Sequence, residues 1–232
     1  MMSPVSEQSA PTAGIEKAGY PYWLRIGFWA CIVIAIAVVL RRVVELAYPQ
    51  QSGPPQLVQT NAVFASHAGL TLAHILPALA FVVLVPVVLL RWSKAAWLEQ
   101  ALFLLGLVVG ITAYGMSAYA VGGWVERSAV LFFNTLFLFS LVRAYWHMRN
   151  GTFLQERRWL IRAIGILLGI ATTRPVMGVF FATSRLTHLE PRQFFGIAFW
   201  VGFSINTIAV ELWLRSRNYQ IQSAKMASGL EP

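Results

Sequence analysis

Two ionisable side chains, His74 and Arg174, fall deep within long apolar runs of this sequence. Ionisable groups are costly at membrane depth, so each is a functional candidate in its own right. An imidazole there can ligate iron or exchange a hydrogen bond, and a guanidinium offers a planar fork of donors to an anion or a carbonyl. With about 1.5 Å of rise per residue, each lies roughly 10 Å inside the outer boundary of its own helix. The two can therefore share one layer. Thr112, Tyr114 and Ser117 of another run, Asn134 of a third, and Thr172 and Thr173 beside Arg174 reach similar depth. The pattern predicts an outward-facing polar pocket with His74, Arg174, Asn134, Tyr114 and Thr173 as its ligand-binding side chains.

Arg174 has no evident acidic partner in the membrane, because Glu45, Glu126 and Glu190 fall near the outer surface or its loops. A bound anion or carbonyl would supply one. Two structural readings stand beside this: the guanidinium snorkels outward, or it caps the backbone carbonyl that Pro175 leaves free. His74 could also hold haem iron, but its axial partner is hard to find. His67 lies about 10 Å away along the same helix, too far to clasp the same iron. His188 is in a loop and His147 at the opposite face, which leaves Met116 or Met177 for a His/Met pair. The alternative to haem is a structural, hydrogen-bonded His74.

Other chemistries lack their residues. All acidic residues are Glu, the single Cys31 has no partner for an internal disulfide, and neither an HExxH nor a GxxxxGK[ST] spacing occurs. Four charged residues, Glu99, Arg158, Arg162 and Glu211, end three different helices at comparable depth on the inner side. Ion pairing between helices is expected there, with a proton or ion path as the alternative.

The elements that must position these groups are membrane spans. Of 232 residues 57% are hydrophobic and 12% charged, against about 25% charged in an ordinary soluble domain. The apolar residues come in runs of about 20, the length that crosses a hydrocarbon layer. An all-α, polytopic bundle of six transmembrane helices follows, at 22–46, 68–90, 97–120, 128–146, 159–181 and 194–214. This six-helix region, 22–215, lies between a polar tail at 1–21 and another at 216–232, and residues 47–66 form the longest loop. Arg41, Arg42 and Glu45 follow the first run where a signal peptide would need small residues, so that helix is expected to stay.

The net charge is +9, yet the basic residues sit singly or in pairs at the ends of the runs, not along a stripe. That argues against nucleic acid and for the positive-inside rule. With the N-terminus inside, twelve basic residues fall on the inner side and six on the outer, which places both termini in the cytoplasm. Gly106 and Gly110 in the third span, and Gly165 and Gly169 in the fifth, predict that these two spans meet at the bundle centre. The fourth span, rich in Leu and Phe, is expected to show most of its surface to lipid. Pro77, Pro86 and Pro175 are expected to kink the second and fifth.

From Gln155 through Glu156, Arg157, Arg158, Trp159, Leu160 and Ile161 to Arg162, the sequence resembles the bacterial predicted-membrane-protein family known as domain-of-unknown-function family 2306. Members often begin a helix with a His-Arg-x-Trp-Met-Ile-Arg-like motif, followed by an Arg deeper in that span and a late Glu in the last. Here Arg157 to Arg162, Arg174 and Glu211 look like those positions, and His74 with Pro86 looks like the family's start. Glu156 stands where the motif usually has His, and Arg91 to Trp97 lacks a His-Arg pair. Both departures weaken any haem role tied to family histidines. The resemblance implies a helical bundle in a bacterial inner membrane and assigns no activity. Together these readings describe a membrane protein in contact with lipid that takes a small-molecule ligand or lipid-like cofactor. The alternatives are a redox protein holding b-type haem or quinone, a small transporter, or an assembly factor for a membrane complex.

Overall fold

The computed structural model describes residues 21–48, 62, 64–90, 95–187 and 191–227; the side chains of 96, 184–187, 191–192 and 218–227 are outside the described set. Both extreme termini, most of the long loop, Arg91, Lys94, His188 and Glu190 also lie outside it. The described chain forms six long helices: α1 Tyr22–Ala47, α2 Ala68–Leu89, α3 Ala96–Ser117, α4 Gly123–Arg149, α5 Phe153–Thr187 and α6 Pro191–Ala227. Each contains a stretch long and apolar enough to cross a membrane. Large apolar side chains stand exposed on every helix, among them Val33, Val83, Ile111, Phe139, Val179 and Ile208. Such a perimeter is untenable in water and suits lipid. Helical backbone in α6 runs on from Ser216 to Ala227, where the sequence suggested a polar tail.

Short connections make α3, α4 and α5 antiparallel neighbours. The turn between α4 and α5 shows how the chain stops one helix and starts the next. Gly151 takes φ +69°, a conformation a Cβ would strain. Its N–H bonds to the Met148 carbonyl, and that of Thr152 to His147. These two bonds satisfy carbonyls at the end of α4 in a Schellman arrangement.

The helix contacts run α1 to α2, α2 to α3, α3 to α4, α4 to α5 and α5 back to α1, a closed ring of five; α6 packs outside it against α4 and α5. This overturns one expectation. The α3 and α5 glycines do not meet. A Cβ on Gly106 would strike Leu141 of α4 and Phe81 of α2, and one on Gly110 would strike Leu138 of α4. Gly165 and Gly169 receive Val210 and Phe203 of α6. Each pair thus admits bulky side chains from other helices. Along α4, Glu126, Ala129, Phe133, Phe137, Ser140 and Ala144 form one buried stripe. Leu and Phe suit lipid and core alike, so composition could not reveal that face.

Polar contacts fasten the ring. Arg157 Nη2 donates to the Leu89 carbonyl at 3.0 Å, tying the start of α5 to the end of α2. Arg162 pairs with Glu211 of α6 at 2.9 Å, and Arg215 reaches the same carboxylate at 3.2 Å. The Thr172 hydroxyl donates to Asn206 Oδ1 at 2.7 Å, and both residues contact the Cys31 thiol, linking α5, α6 and α1.

Candidate functional site

Among the helices lies a cavity of about 260 Å³, lined by residues of all six. Its walls are largely apolar, including Ile75, Val82, Val109, Phe133, Phe137 and Ile170. Its polar lining includes Arg42, His74, Glu126, Asn134 and Arg174. Small apolar pockets with a few convergent polar groups are the usual form of a ligand site.

His74 comes from the N-terminal half of α2, and its Nδ1 lies 2.9 Å from Thr112 Oγ1 on α3. The Thr112 hydroxyl already directs its one proton to the Val108 and Val109 carbonyls, at 2.7 and 3.1 Å. The His74 ring also hydrogen-bonds the Val109 backbone. Asn134 of α4 donates its Nδ2 to the Gly110 carbonyl at 2.9 Å. A carbonyl cannot donate, so the amide orientation is set and Oδ1 is left as an acceptor.

Arg174 projects from the C-terminal half of α5. It makes no hydrogen bond among the described residues, and its Nε is buried without a partner. The guanidinium thus does not cap the carbonyl freed by Pro175; it lines the cavity. Its charge is attracted by Glu126 and Glu45 and repelled by Arg41 and Arg42.

Glu126 was the residue hardest to foresee. The sequence reading began the fourth span at 128 and left Glu126 in a loop, whereas α4 starts at Gly123 and places it in the first helical turn. There a carboxylate complements the helix dipole, and Oε2 accepts the Gly122 N–H. Its burial depends on Gly196 of α6, where a Cβ would lie 2.8 Å from the Glu126 nitrogen. A Gly-Gly pair followed by Glu at a helix start was the available signal. Arg42, noted in the sequence only for following the first run, lines the cavity, paired with Glu45 at 3.1 Å and set 4.2 Å from the centre of the Phe64 ring.

Two of the five expected site residues are elsewhere. Tyr114 turns away from the cavity to bond Thr135 at 2.8 Å on an exposed surface. Thr173 is fully buried against Gly202 of α6, and its hydroxyl donates to the Ile170 carbonyl at 2.6 Å. Both share the depth of Arg174 but sit on other faces of their helices. For haem, Met116 lines the cavity with His74, whereas Met177 is buried outside that lining. His67 lies against Tyr119, ring centres 3.6 Å apart, and His147 bonds Thr152 beyond α4.

A family model described as a predicted membrane protein, domain of unknown function 2306, matches residues 71–214, more than half of the chain. The chain belongs to this family. The matched region spans α2 to most of α6 and includes His74, Glu126, Asn134 and Arg174, while Arg42 precedes it. No curated protein and no solved structure matches the chain.

Proposed function

We propose that this family member binds a small amphipathic molecule, a ligand or lipid-like cofactor, in this cavity. Arg174 takes an accepting group on the molecule's head, and the aliphatic and phenyl walls take its body. The observation carrying this reading is the buried, unpaired Nε of Arg174 on a cavity wall. An unmet buried donor costs about 1–3 kcal/mol, more when charged, and a bound acceptor removes that cost. The family resemblance points to a bacterial inner membrane, and the bias of basic residues to both termini in the cytoplasm, with the cavity in the outer half.

A second reading, a redox protein, is favoured by the joint presence of His74 and Met116 on the wall. Absorption spectra of the purified protein separate the two, because stoichiometric b-type haem gives a Soret band. The main test compares the small molecules extracted from purified wild-type, Arg174→Lys and Arg174→Leu proteins. Lysine keeps the charge but loses the planar fork, so both variants should lose the co-purifying molecule while remaining inserted and folded. Wild-type amounts in both would defeat the Arg174 contact.

A further inference from the structure

Arg42, Tyr119, Glu126 and Arg174 mark one end of the cavity, its mouth, where Tyr119 is 44% exposed. Away from that end the lining stops at Ala35 on α1, Val82 on α2, Val109 on α3, Phe137 on α4 and Ile166 on α5, all apolar and buried. On four of these helices the deepest polar lining residue, Arg42, His74, Ser117 or Arg174, stands about two turns nearer the mouth. On α4 it is Asn134, about one turn nearer, with its amide nitrogen spent on the Gly110 carbonyl. The cavity is thus polar at its mouth and hydrocarbon-like at its base.

Below that base the bundle is closely packed. Ile32, Val85, Leu102, Leu141 and Ala163, further along the same helices, are each at most 3% exposed and stand outside the lining. Phe81 closes the floor: it is fully buried, its ring meets that of Phe137 edge-on with centres 6.1 Å apart, and a Cβ on Gly106 would come within 3.0 Å of it. An interior packed at crystal-like density does not part for a longer guest. The depth follows from the helices. Arg174 and Ile166 are eight residues apart on α5, and Arg42 and Ala35 seven apart on α1, which is about 10–12 Å of helix rise. An extended chain advances about 1.2 Å per bond, so roughly eight to ten carbons reach from the arginine layer to the floor.

We infer that the cavity is a blind well that selects by chain length: it takes an amphiphile with its accepting head at Arg174 and a hydrocarbon tail of no more than about ten carbons, ending against Phe81 and Phe137. This rests on the cavity being a ligand site, as proposed above, and adds the size and the direction of the molecule. A longer tail lifts the head away from the guanidinium. The acyl chains of bilayer lipids cover half of a hydrocarbon layer about 30 Å thick, and so overrun the well.

The probes are n-alkanoates and the matching methyl ketones, an anionic and a neutral accepting head, with tails of about six to sixteen carbons that bracket the limit. Saturable binding to ligand-stripped full-length protein in nanodiscs is measured against empty nanodiscs. It is expressed relative to probe dissolved in the bilayer, which removes the gain each methylene makes on leaving water. On that scale affinity should hold level up to about ten carbons and fall by about 10-fold or more beyond, the worth of a hydrogen bond to a charged group. Two variants should move the limit in opposite directions. Ala78→Phe, on the α2 wall about one turn nearer the mouth than Val82, fills the lower well and should shorten the longest accepted tail by about three carbons. Phe81→Leu lowers the floor and should lengthen it by about two. Level affinity through the longest tails, or a limit that neither variant moves, overturns the blind well and leaves the ligand-site reading intact. Absence of saturable binding by every probe, with nothing co-purifying from cells, overturns both.

Discussion

Alanine at Gly202 should separate α6 from α5 beside the candidate site. A Cβ built on Gly202 would lie 2.6 Å from Thr173 Cγ2, 2.7 Å from its backbone nitrogen and 2.8 Å from its Cα. Ordinary carbon contacts are at about 3.5–4.0 Å, so α6 must retreat by roughly 1 Å, and Thr173 has no room to yield because two of the three obstructing atoms are backbone. Overpacking of this kind costs about 1–3 kcal/mol. Alanine also gains up to about 1 kcal/mol over glycine in helix preference, which would blur the result taken alone. Gly178→Ala on α5 supplies the control, since its Cβ would meet nothing within 4 Å. The helix-preference gain is shared by both variants, so their difference isolates the overpacking. Reversible unfolding in mixed detergent micelles should place Gly202→Ala below Gly178→Ala by about 1–3 kcal/mol. Equal unfolding free energies would refute the close approach of α5 and α6.

Tyr114→Phe should leave any co-purifying molecule at wild-type level, since its hydroxyl bonds Thr135 outside the cavity; depletion measured by mass spectrometry would return Tyr114 to the site. A double-mutant cycle on Arg162 and Glu211 should give a coupling of no more than about 1 kcal/mol, because both side chains remain partly exposed; several kcal/mol would mean a drier inner end. A reporter fused to the C-terminus should be active only in the cytoplasm, and activity outside the membrane would invert the proposed orientation.

Six long apolar runs were enough to mark this as a six-span, all-helical membrane protein. Span length and hydropathy are local properties, set by the rise per residue and the thickness of the hydrocarbon layer. Depth was legible for the same reason, and His74, Asn134 and Arg174 do line one cavity. Rotation about each helix axis was not legible. Tyr114 lies four residues from Gly110, yet faces Thr135 on an exposed surface; Thr173 adjoins Arg174, yet is sealed against Gly202. The cause is the solvent: a leucine gains almost as much from lipid as from a neighbouring helix, so hydropathy carries little record of which face is inside. Tertiary structure decided the faces through shape, with glycines admitting particular side chains. That fit sent Gly165 and Gly169 to α6, and buried Glu126 against Gly196 within the electrostatic reach of Arg174.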